Sequence, residues 1–294
     1  MIHWLARLRH WLNPTLLGRR QLFGMLGRGD RFVTRHRVRS LCRTVTIGDR
    51  LAVTRVLGRY KMYVDPSDYA ISVHLMMDGY WELGLSEEIA RTVKPGMVVA
   101  DVGANLGYFT LLMADLVGSS GKVLSFEPNP QLAGLLRRSL HANGFEPIVS
   151  HEPDPLGADD GWPVTLYANP DQAGGAFVSI VPHQGYGLAV PLSTRRLDQH
   201  PDAMRVAFVK IDAEGSEPAI WEGMAGMLAG DALRTVAMEW AGCRYPDPAA
   251  FLNRLLAPGF SLARIHMTKG VVPATREALL AAPAEEEWML LLRR

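Results

Sequence analysis

The sequence predicts an α/β fold in which helices cover both faces of a mostly parallel β-sheet. Short apolar runs of strand length alternate with amphipathic runs of helix length along much of the chain. Three apolar runs lead into an acidic residue, at Asp101, Glu127 and Asp212, and a glycine-rich turn from Gly103 to Gly107 follows the first. Ligands of such sheets bind beyond the carboxyl ends of the strands, so we expect the functional site at that edge.

The elements before the turn follow from local patterns. Residues 51–57 and 60–64 alternate in polarity on either side of a Gly-Arg pair, which predicts a β-hairpin. The segment 65–77 opens with Asp-Pro-Ser-Asp and should form a short helix. Ser86 should cap a further helix that ends at Val93, before a Pro-Gly pair.

The elements after the turn alternate between helix and strand. A helix should run from the turn to Val117, and an Asn-Pro start and an Asn-Gly end bound another at 129–144. Glycine and proline between short apolar runs indicate β-hairpins inserted at about 161–191. The other predicted strands are 122–126, 148–149, 206–211, 235–240, 261–266 and 288–292, and the other helices are 216–228 and 248–256.

The segment from Asp101 to Glu127 indicates a nucleoside-bearing cofactor. Gly103, Asn105 and Gly107 leave the turn with little side-chain bulk, so unpaired N–H groups at the positive end of a helix could face a small anionic group. A second strand ends about twenty residues later in Glu127, where a carboxylate can accept hydrogen bonds from ribose hydroxyls.

The turn favours S-adenosylmethionine over a nicotinamide dinucleotide. The dinucleotide fingerprint is Gly-x-Gly-x-x-Gly, and Asn105 and Tyr108 stand in place of two of its glycines. S-adenosylmethionine has one carboxylate and no phosphate, so a looser turn suffices, and asparagine tolerates the left-handed conformation. A turn that binds nothing is the alternative, because turns by themselves favour glycine and asparagine.

Length and cysteine content fit a reducing compartment, which we predict to be the cytoplasm. The 294 residues can bury a generous core. Two cysteines, Cys42 and Cys243, cannot build a disulfide framework or an iron–sulfur cluster held by three local thiolates, which leaves polar rather than radical methyl transfer. No apolar run is long enough to span a bilayer, and basic residues interrupt the apolar N-terminal stretch.

Charge is strongly asymmetric along the chain. Up to Arg59 there are thirteen arginines and two aspartates, a net charge of +11; the whole chain carries +1, so the remainder carries −10. Residues 1–12 place tryptophan and leucine on one helical face and arginine off it, which suits either an anionic membrane surface or packing on protein. The arginine-rich stretch 28–43 could bind an anionic substrate or carrier, whereas binding of nucleic acid is not expected.

Three motifs resemble the FkbM family of methyltransferases. They are Asp-Val-Gly-Ala-Asn-Leu-Gly-Tyr-Phe-Thr at 101–110, Phe-Glu-Pro-Asn-Pro at 126–130 and Val-Lys-Ile-Asp-Ala-Glu-Gly-Ser-Glu at 209–217, and Gly-Tyr-Trp-Glu at 79–82 is also similar. The resemblance implies a class I methyltransferase fold, a Rossmann-like sheet of about seven strands whose last strand is antiparallel. It also implies S-adenosylmethionine as the donor and a hydroxyl of a sugar, glycolipid or polyketide-type natural product as the acceptor.

The resemblance also assigns roles to residues of this sequence. The turn would hold the methionine end of the donor, Glu127 its ribose, and Asp212 and Glu214 would face the transferred methyl group. His-Glu-Pro-Asp-Pro follows the third strand where the family has a small apolar segment, so Asp154 is the candidate for the adenine. The predicted cofactor-binding residues are Tyr80, Glu82, Asp101, Gly103, Ala104, Asn105, Gly107, Tyr108, Phe109, Glu127, Pro128, Asn129, Asp154 and Asp212.

Asp212 is the predicted general base, since it ends a central strand and a neutral alcohol is a poor nucleophile. Glu214 and Glu239 complete the predicted catalytic set. Together with Glu217 these acids could hold Mg²⁺, but acids at a helix start also serve the helix dipole without a metal, and we predict none. The alternative bases are His183, His200 and His266.

The sequence therefore predicts a cytoplasmic O-methyltransferase that acts in a biosynthetic pathway. Peripheral contact with the inner membrane surface is left open. We place a basic N-terminal appendage at 1–60 and the methyltransferase domain at 61–294. Two alternatives remain open: a nicotinamide-dependent oxidoreductase, and a catalytically silent adapter that docks on membranes. Association into a homo-oligomer is also open.

Overall fold

The computed structural model describes residues 16–169, 171–266, 268–283 and 285–294. The described chain begins with two helices, α1 (Arg19–Arg28) and α2 (Arg31–Leu41). Strands β1 (Thr44–Gly48), β2 (Leu51–Val56) and β3 (Tyr60–Val64) then form an antiparallel sheet. The predicted hairpin is confirmed as β2 and β3, and β1 adds a strand that the sequence did not suggest. The helix predicted at 1–12 lies outside the described residues.

Helices α3 (Ser72–Asp78) and α4 (Leu83–Thr92) begin at other places than predicted. Helix α3 starts later because the Asp68 carboxylate accepts the N–H groups of residues 70–72 and holds the chain before it in a turn. Helix α4 starts before Ser86, which lies buried inside it, and the residue that precedes the helix is Glu82. The predicted cap at Ser86 is therefore wrong.

The central sheet is built from alternating strands and helices. In chain order its first half comprises β4 (Val98–Val102), α5 (Tyr108–Val117), β5 (Lys122–Phe126), α6 (Pro130–Asn143) and β6 (Val149–Glu152). The inserted strands β7 (Pro163–Asn169), β8 (Gln172–Ser179) and β9 (Leu188–Ser193) form a separate antiparallel sheet, which confirms the predicted hairpins.

The second half of the sheet closes the chain. It comprises β10 (Val206–Ile211), α7 (Glu217–Glu222), α8 (Ala225–Ala229), β11 (Thr235–Ala241), α9 (Pro248–Leu256), β12 (Ser261–His266), β13 (Gly270–Pro273), α10 (Arg276–Ala281) and β14 (Glu287–Arg293). The single helix predicted at 216–228 is two short helices, α7 and α8.

The sheet order is β13-β12-β14-β11-β10-β4-β5-β6. The pairs from β11 to β6 are parallel, and β14 runs antiparallel between β11 and β12. An antiparallel last strand is what the resemblance implies, and the extra edge strand β13 raises the number of strands to eight. The predicted α/β class is thus confirmed.

Helices cover both faces of the sheet. Successive side chains of a strand point to opposite faces, so each strand contributes to the apolar cluster on either side. Val99 of β4 joins an apolar cluster with α4, α5 and α6, whereas Val98 and Val102 of the same strand join a cluster with α7 and α9. Since helices pack on both sides, the loops at the carboxyl ends of β4, β5, β10 and β11 form the exposed edge where a ligand can enter.

The basic segment from residue 16 to residue 60 packs on the rest of the chain. Leu22 and Leu26 of α1 are fully buried in the same apolar cluster as α4 and α5. Arg59 and the Tyr60 hydroxyl both donate to the Asp115 carboxylate on α5, at 2.6 and 3.0 Å. These described residues are part of the core, while the boundary at residue 60 stays a prediction.

Two further features bear on the sequence predictions. Among the described helices, none combines the length and apolar character needed to cross a bilayer. Cys42 is buried and Cys243 is exposed, and both are free thiols.

Candidate functional site

A cavity of about 460 Å³ opens at the carboxyl edge of the central sheet. Its walls come from the loops that follow β4, β5 and β10, from the segment between α3 and α4, and from β8 of the inserted sheet. The predicted edge is therefore where the structure places a pocket of the size that small ligands occupy.

The glycine-rich turn forms one wall of this cavity through tight backbone packing. Gly103 has a φ of +69°, and a Cβ added there would lie 1.8 Å from the carbonyl oxygen of Asp212. Gly107 has a φ of +88°, and its Cβ would lie 2.1 Å from a Leu136 methyl group. Asn105 adopts the left-handed conformation at φ +51°. Gly103 is thus required by its close approach to the backbone as well as by φ, and Gly107 is required by φ.

Four N–H groups of the turn, those of residues 104–107, are already paired within the protein, which corrects the expectation of several free donors. Ala104 donates to the Phe126 carbonyl, and Gly107 donates to the Ala104 carbonyl. The N–H of Leu106 bonds to the Asn105 side chain at 2.8 Å. The turn therefore offers a ligand its shape and its carbonyl groups more than an anion-binding ring of N–H groups.

Glu127 is fixed by two backbone donors. The Asn105 N–H donates to Oε2 at 2.7 Å and the Asn129 N–H to Oε1 at 2.9 Å. Burial raises the pKa of Glu127 to about 7, and these two hydrogen bonds oppose the rise. The carboxylate is held at the cavity wall with lone pairs left to accept further hydrogen bonds.

Four of the predicted cofactor-binding residues do not line the cavity. Asp101 is fully buried behind the turn, where it accepts a hydrogen bond from Thr110 at 2.6 Å. The Asn129 side chain caps α6, and Gly107 packs on that helix. The Tyr80 hydroxyl lies 3.5 Å from Arg39 outside the cavity. The lining does include Glu82, Gly103, Ala104, Asn105, Tyr108, Phe109, Glu127, Pro128, Asp154 and Asp212.

Asp212 stands at the end of β10 beside a lysine that sequence reasoning did not single out. Lys210 is buried, and its Nζ lies 3.4 Å from an Asp212 carboxylate oxygen and 3.6 Å from one of Asp101. Burial alone would lower the pKa of Lys210, but these carboxylates raise it above its ordinary value. A charged residue inside an otherwise apolar strand was the signal in the sequence that could have identified Lys210.

Arg244 gathers three acids at the other side of the cavity. Its guanidinium lies 2.7 Å from Glu239, 3.0 Å from Glu214 and 2.6 Å from Glu287. Burial, together with the nearby Asp212, raises the pKa of Glu239 to about 9, and burial raises that of Glu214 to about 7 although Arg244 opposes both. The predicted catalytic residues Asp212, Glu214 and Glu239 therefore do line one cavity.

The acids considered as metal ligands have other partners. Glu217 accepts the N–H groups of Ala213 and Gly215, at 2.8 and 3.0 Å, and so closes the loop after β10. Across the described residues, no group of three or more His, Cys, Asp or Glu is arranged to hold a metal ion.

The three histidines considered as alternative bases lie elsewhere. His183 packs in a ring cluster with Tyr167 and Phe177, and His200 lies edge-on to Phe126. His266 accepts N–H groups of its own loop. None of them is among the described residues that line the cavity.

Residues distant in sequence also contribute to the cavity. Phe177, Arg244 and Glu287 line it, but no local motif marks them. Only the folding of the chain brings the inserted sheet and β14 to this edge, so a search for motifs could not find them.

The charge of the cavity fits S-adenosylmethionine. Among the described lining residues, seven are acidic and two, Lys210 and Arg244, are basic. The donor carries a sulfonium and an ammonium against one carboxylate, whereas a dinucleotide would bring a doubly charged pyrophosphate into the same acidic space. The acidic lining residues are Glu82, Glu127, Asp154, Asp212, Glu214, Glu239 and Glu287.

Comparisons with known proteins agree with this geometry. Residues 101–245 match the methyltransferase FkbM domain. A segment is 41% identical over 56 residues to a protein-L-isoaspartate O-methyltransferase of Aeropyrum pernix, covering 19% of this chain and 22% of that protein. Another is 46% identical over 48 residues to the protein of the same name from Methanothrix thermoacetophila, covering 16% and 23%. The matches thus span about a quarter of the length of these curated relatives.

Solved structures of methyltransferases show distant likeness. A SAM-dependent O-methyltransferase of Thermotoga maritima has a TM-score of 0.39 at 13% identity, covering 82% of this chain and 77% of that one. A SAM-dependent methyltransferase of Aquifex aeolicus has a TM-score of 0.40 at 13% identity, covering 78% and 92%.

The family match confirms the resemblance carried by the three motifs, and the nicotinamide alternative is set aside. The sheet also has the antiparallel last strand that the resemblance implies. The chain therefore carries an S-adenosylmethionine-dependent methyltransferase domain of the FkbM family at residues 101–245.

Proposed function

We propose that the chain is an O-methyltransferase that methylates a hydroxyl of a sugar, glycolipid or polyketide-type natural product. The observation that carries this proposal is the position of Asp212. Its carbonyl packs directly on Gly103 of the donor turn, while its carboxylate lines the same cavity as Glu127. In this proposal the base therefore lies next to the loop that would hold the donor.

When bound, S-adenosylmethionine supplies a methyl group on a sulfonium, which is already activated for transfer. The turn at Gly103 and Asn105 would hold it together with Glu127, and Glu82 and Asp154 supply further acidic groups along the wall. The protein then has to align the acceptor, and alignment is worth about 7–11 kcal/mol of a barrier.

Asp212 accepts the proton of the acceptor hydroxyl in this proposal. Its side chain is 28% exposed, so the proton can pass on to solvent afterwards. A positioned base contributes roughly 10²- to 10⁴-fold to such a reaction. Glu239 and Glu214 are anchored by Arg244 and would orient the acceptor rather than take its proton.

The acidic lining favours a neutral or cationic acceptor. An acceptor that is itself a carboxylate would add a negative charge beside Asp212, which is unfavourable at close range. This argues against an isoaspartate acceptor of the kind named for the curated relatives, although their name supports transfer to oxygen. A hydroxyl compound without acidic groups fits the cavity better.

Calorimetric titration with S-adenosylhomocysteine tests the donor site. We expect binding with a Kd below about 1 mM, and no heat at that concentration would overturn the proposal. A matched titration with NADH should show no binding. A mass-spectrometric screen of glycans, glycolipids and polyketide alcohols for the gain of one methyl group then identifies the acceptor, and methylation of carboxylates alone would refute the hydroxyl assignment.

We further propose that helix α2 contacts an anionic lipid surface. Phe32 is 83% exposed and Val33 is 53% exposed on this helix. Within the described part of the chain, no acidic side chain pairs with Arg35 or Arg37, which flank the same surface. An exposed aromatic ring among unpaired arginines is the composition of helices that lie on anionic membranes.

Sedimentation with vesicles tests this contact. The full chain should partition onto phosphatidylglycerol vesicles and stay in solution with phosphatidylcholine, and Phe32→Ala should reduce the bound fraction. Met204→Ala is the matched control, because Met204 is 54% exposed on another surface. Equal partitioning of the Phe32 variant and the wild type would refute the contact.

A further inference from the structure

Lys210 is the most deeply buried cation at the cavity. Its side chain is 2% exposed, and it is the penultimate residue of β10. The Nζ donates to the Gly103 carbonyl at 2.8 Å, and the ammonium also lies 5.6 Å from the centre of the Phe109 ring. One ammonium thus contacts both the donor turn and the first turn of α5.

The ammonium has carboxylates on two sides. Asp101 and Asp212 approach Nζ at 3.6 and 3.4 Å, so the two acids share one buried cation. Burying an ammonium is costly unless its hydrogen bonds and its charge are met, and this site meets both. On the far side Asp101 is tied to Thr110 at 2.6 Å, which in turn lies 3.2 Å from Ser125. A buried polar chain therefore runs from β5 to Asp212.

We propose that Lys210 is a positioning residue that locks the donor turn and Asp212 into one arrangement. The inference deepens the proposed function and rests on it. Without Lys210 the Gly103 carbonyl would lose its donor, and Asp101 would become a buried carboxylate without a counter-charge. The turn and the strand end would then be free to move apart.

The electrostatics of the cavity support this role. Burial raises the pKa of Glu127 to about 7. The enclosing cavity walls and Asp212 also raise the pKa of Glu82, although solvent reaches its side chain, and the charge of Lys210 opposes both rises. It opposes the rise for Asp101 as well. The other charged groups that line the cavity around these acids are Asp154, Asp212, Glu214, Glu239, Arg244 and Glu287.

Removing the ammonium should therefore change how donor binding depends on pH. The carboxylates of Glu82 and Glu127 would take up protons at higher pH, and a protonated Glu127 accepts fewer hydrogen bonds. As the pH falls, affinity for the donor should be lost at a higher pH in Lys210→Met than in the wild type.

The experiment is calorimetric titration of the full chain with S-adenosylhomocysteine between about pH 6 and pH 9. We expect Lys210→Met to bind about tenfold more weakly than the wild type near pH 7, with a smaller difference near pH 9. Lys122→Met is the matched control, because Lys122 pairs with Asp202 and does not line the cavity. Superimposable pH profiles of Lys210→Met and the wild type would overturn the inference.

Two further measurements separate the possible failures. If Lys210→Met does not fold, as judged by its melting curve, the double variant Lys210→Met with Asp101→Asn removes the unpaired buried carboxylate and should fold. The shift of the pH profile should persist in the double variant, and a wild-type profile there would refute the role of Lys210. If the wild type itself does not bind S-adenosylhomocysteine, the proposed function fails.

Discussion

The cavity and the basic segment that precedes it are both rich in charge, but they use it in opposite ways. In the cavity several charged side chains are buried, so that burial and the nearby Asp212 raise the pKa of Glu239 to about 9, and Lys210 lies between two carboxylates. In the basic segment arginines lie largely over the surface, while Leu22 and Leu26 enter the core. Charged residues in the sequence thus have different consequences in the two regions, because burial decides how strongly charges interact.

Backbone conformation separates the cavity from the rest of the chain. Among the described residues four that are not glycine have a positive φ, and three of them, Glu82, Asn105 and Glu214, line the cavity. Each left-handed residue of this kind costs about 1–3 kcal/mol and persists only where its surroundings enforce it. Strain collects at the acidic cavity, as it does at many functional sites.

The largest expected effect is at the cavity. Asp212→Asn keeps the shape of the side chain but cannot accept a proton, so turnover of the acceptor should fall by roughly 10²- to 10⁴-fold. Binding of S-adenosylhomocysteine, measured by calorimetry, should stay near the wild-type value. Asp202→Asn, a substitution outside the cavity, serves as the control.

Three other outcomes of this experiment would change the comparison. Unchanged turnover would remove the chemical role of Asp212, and an inactive wild type that still binds the donor product would favour the silent adapter. A parallel loss of turnover and binding would make Asp212 a binding residue.

The next effect concerns the basic segment. Leu22→Ala should lower the free energy of unfolding by about 2–5 kcal/mol, because Leu22 is fully buried on α1 in the same core as α4 and α5. Phe32→Ala on α2 should change it by less than about 0.5 kcal/mol, since the ring is 83% exposed. Urea unfolding measures both. Equal stability of the two variants would show the segment to be an independent appendage.

The smallest effect tests the turn against a helix of the same domain. Gly103→Ala should destabilise the protein by more than about 1 kcal/mol, because φ is +69° and the methyl group would meet the Asp212 carbonyl. Gly134→Ala, inside α6 with nothing within 4 Å, should stabilise it by up to about 1 kcal/mol. Thermal melting distinguishes the signs. A neutral Gly103 variant would mean that the turn tolerates a side chain, contrary to its packing.

Much of the fold could be predicted because the sequence patterns that indicate its strands and helices are local. The strand that ends near Asp101, the cap at Asn129 and the strand before Asp212 all appear where the sequence placed them. Predictions from local sequence failed where a contact between distant residues, or an unusual backbone conformation, determines the structure. Ser86 is a good capping residue, yet α4 starts at Leu83 after a left-handed Glu82, and the three acids around Arg244 come from separate segments of the chain.

The sequence by itself determined the α/β order, the glycine turn and the acids that close the strands, because periodicity, caps and turn residues act over a few neighbours. Only the tertiary structure decided that Asp101 lies behind the turn, that four N–H groups of the turn are already paired, and that Lys210 joins the turn to Asp212. These contacts depend on which strands become neighbours in the sheet. That arrangement sets burial and distance, and through them the strength of every charge at the site.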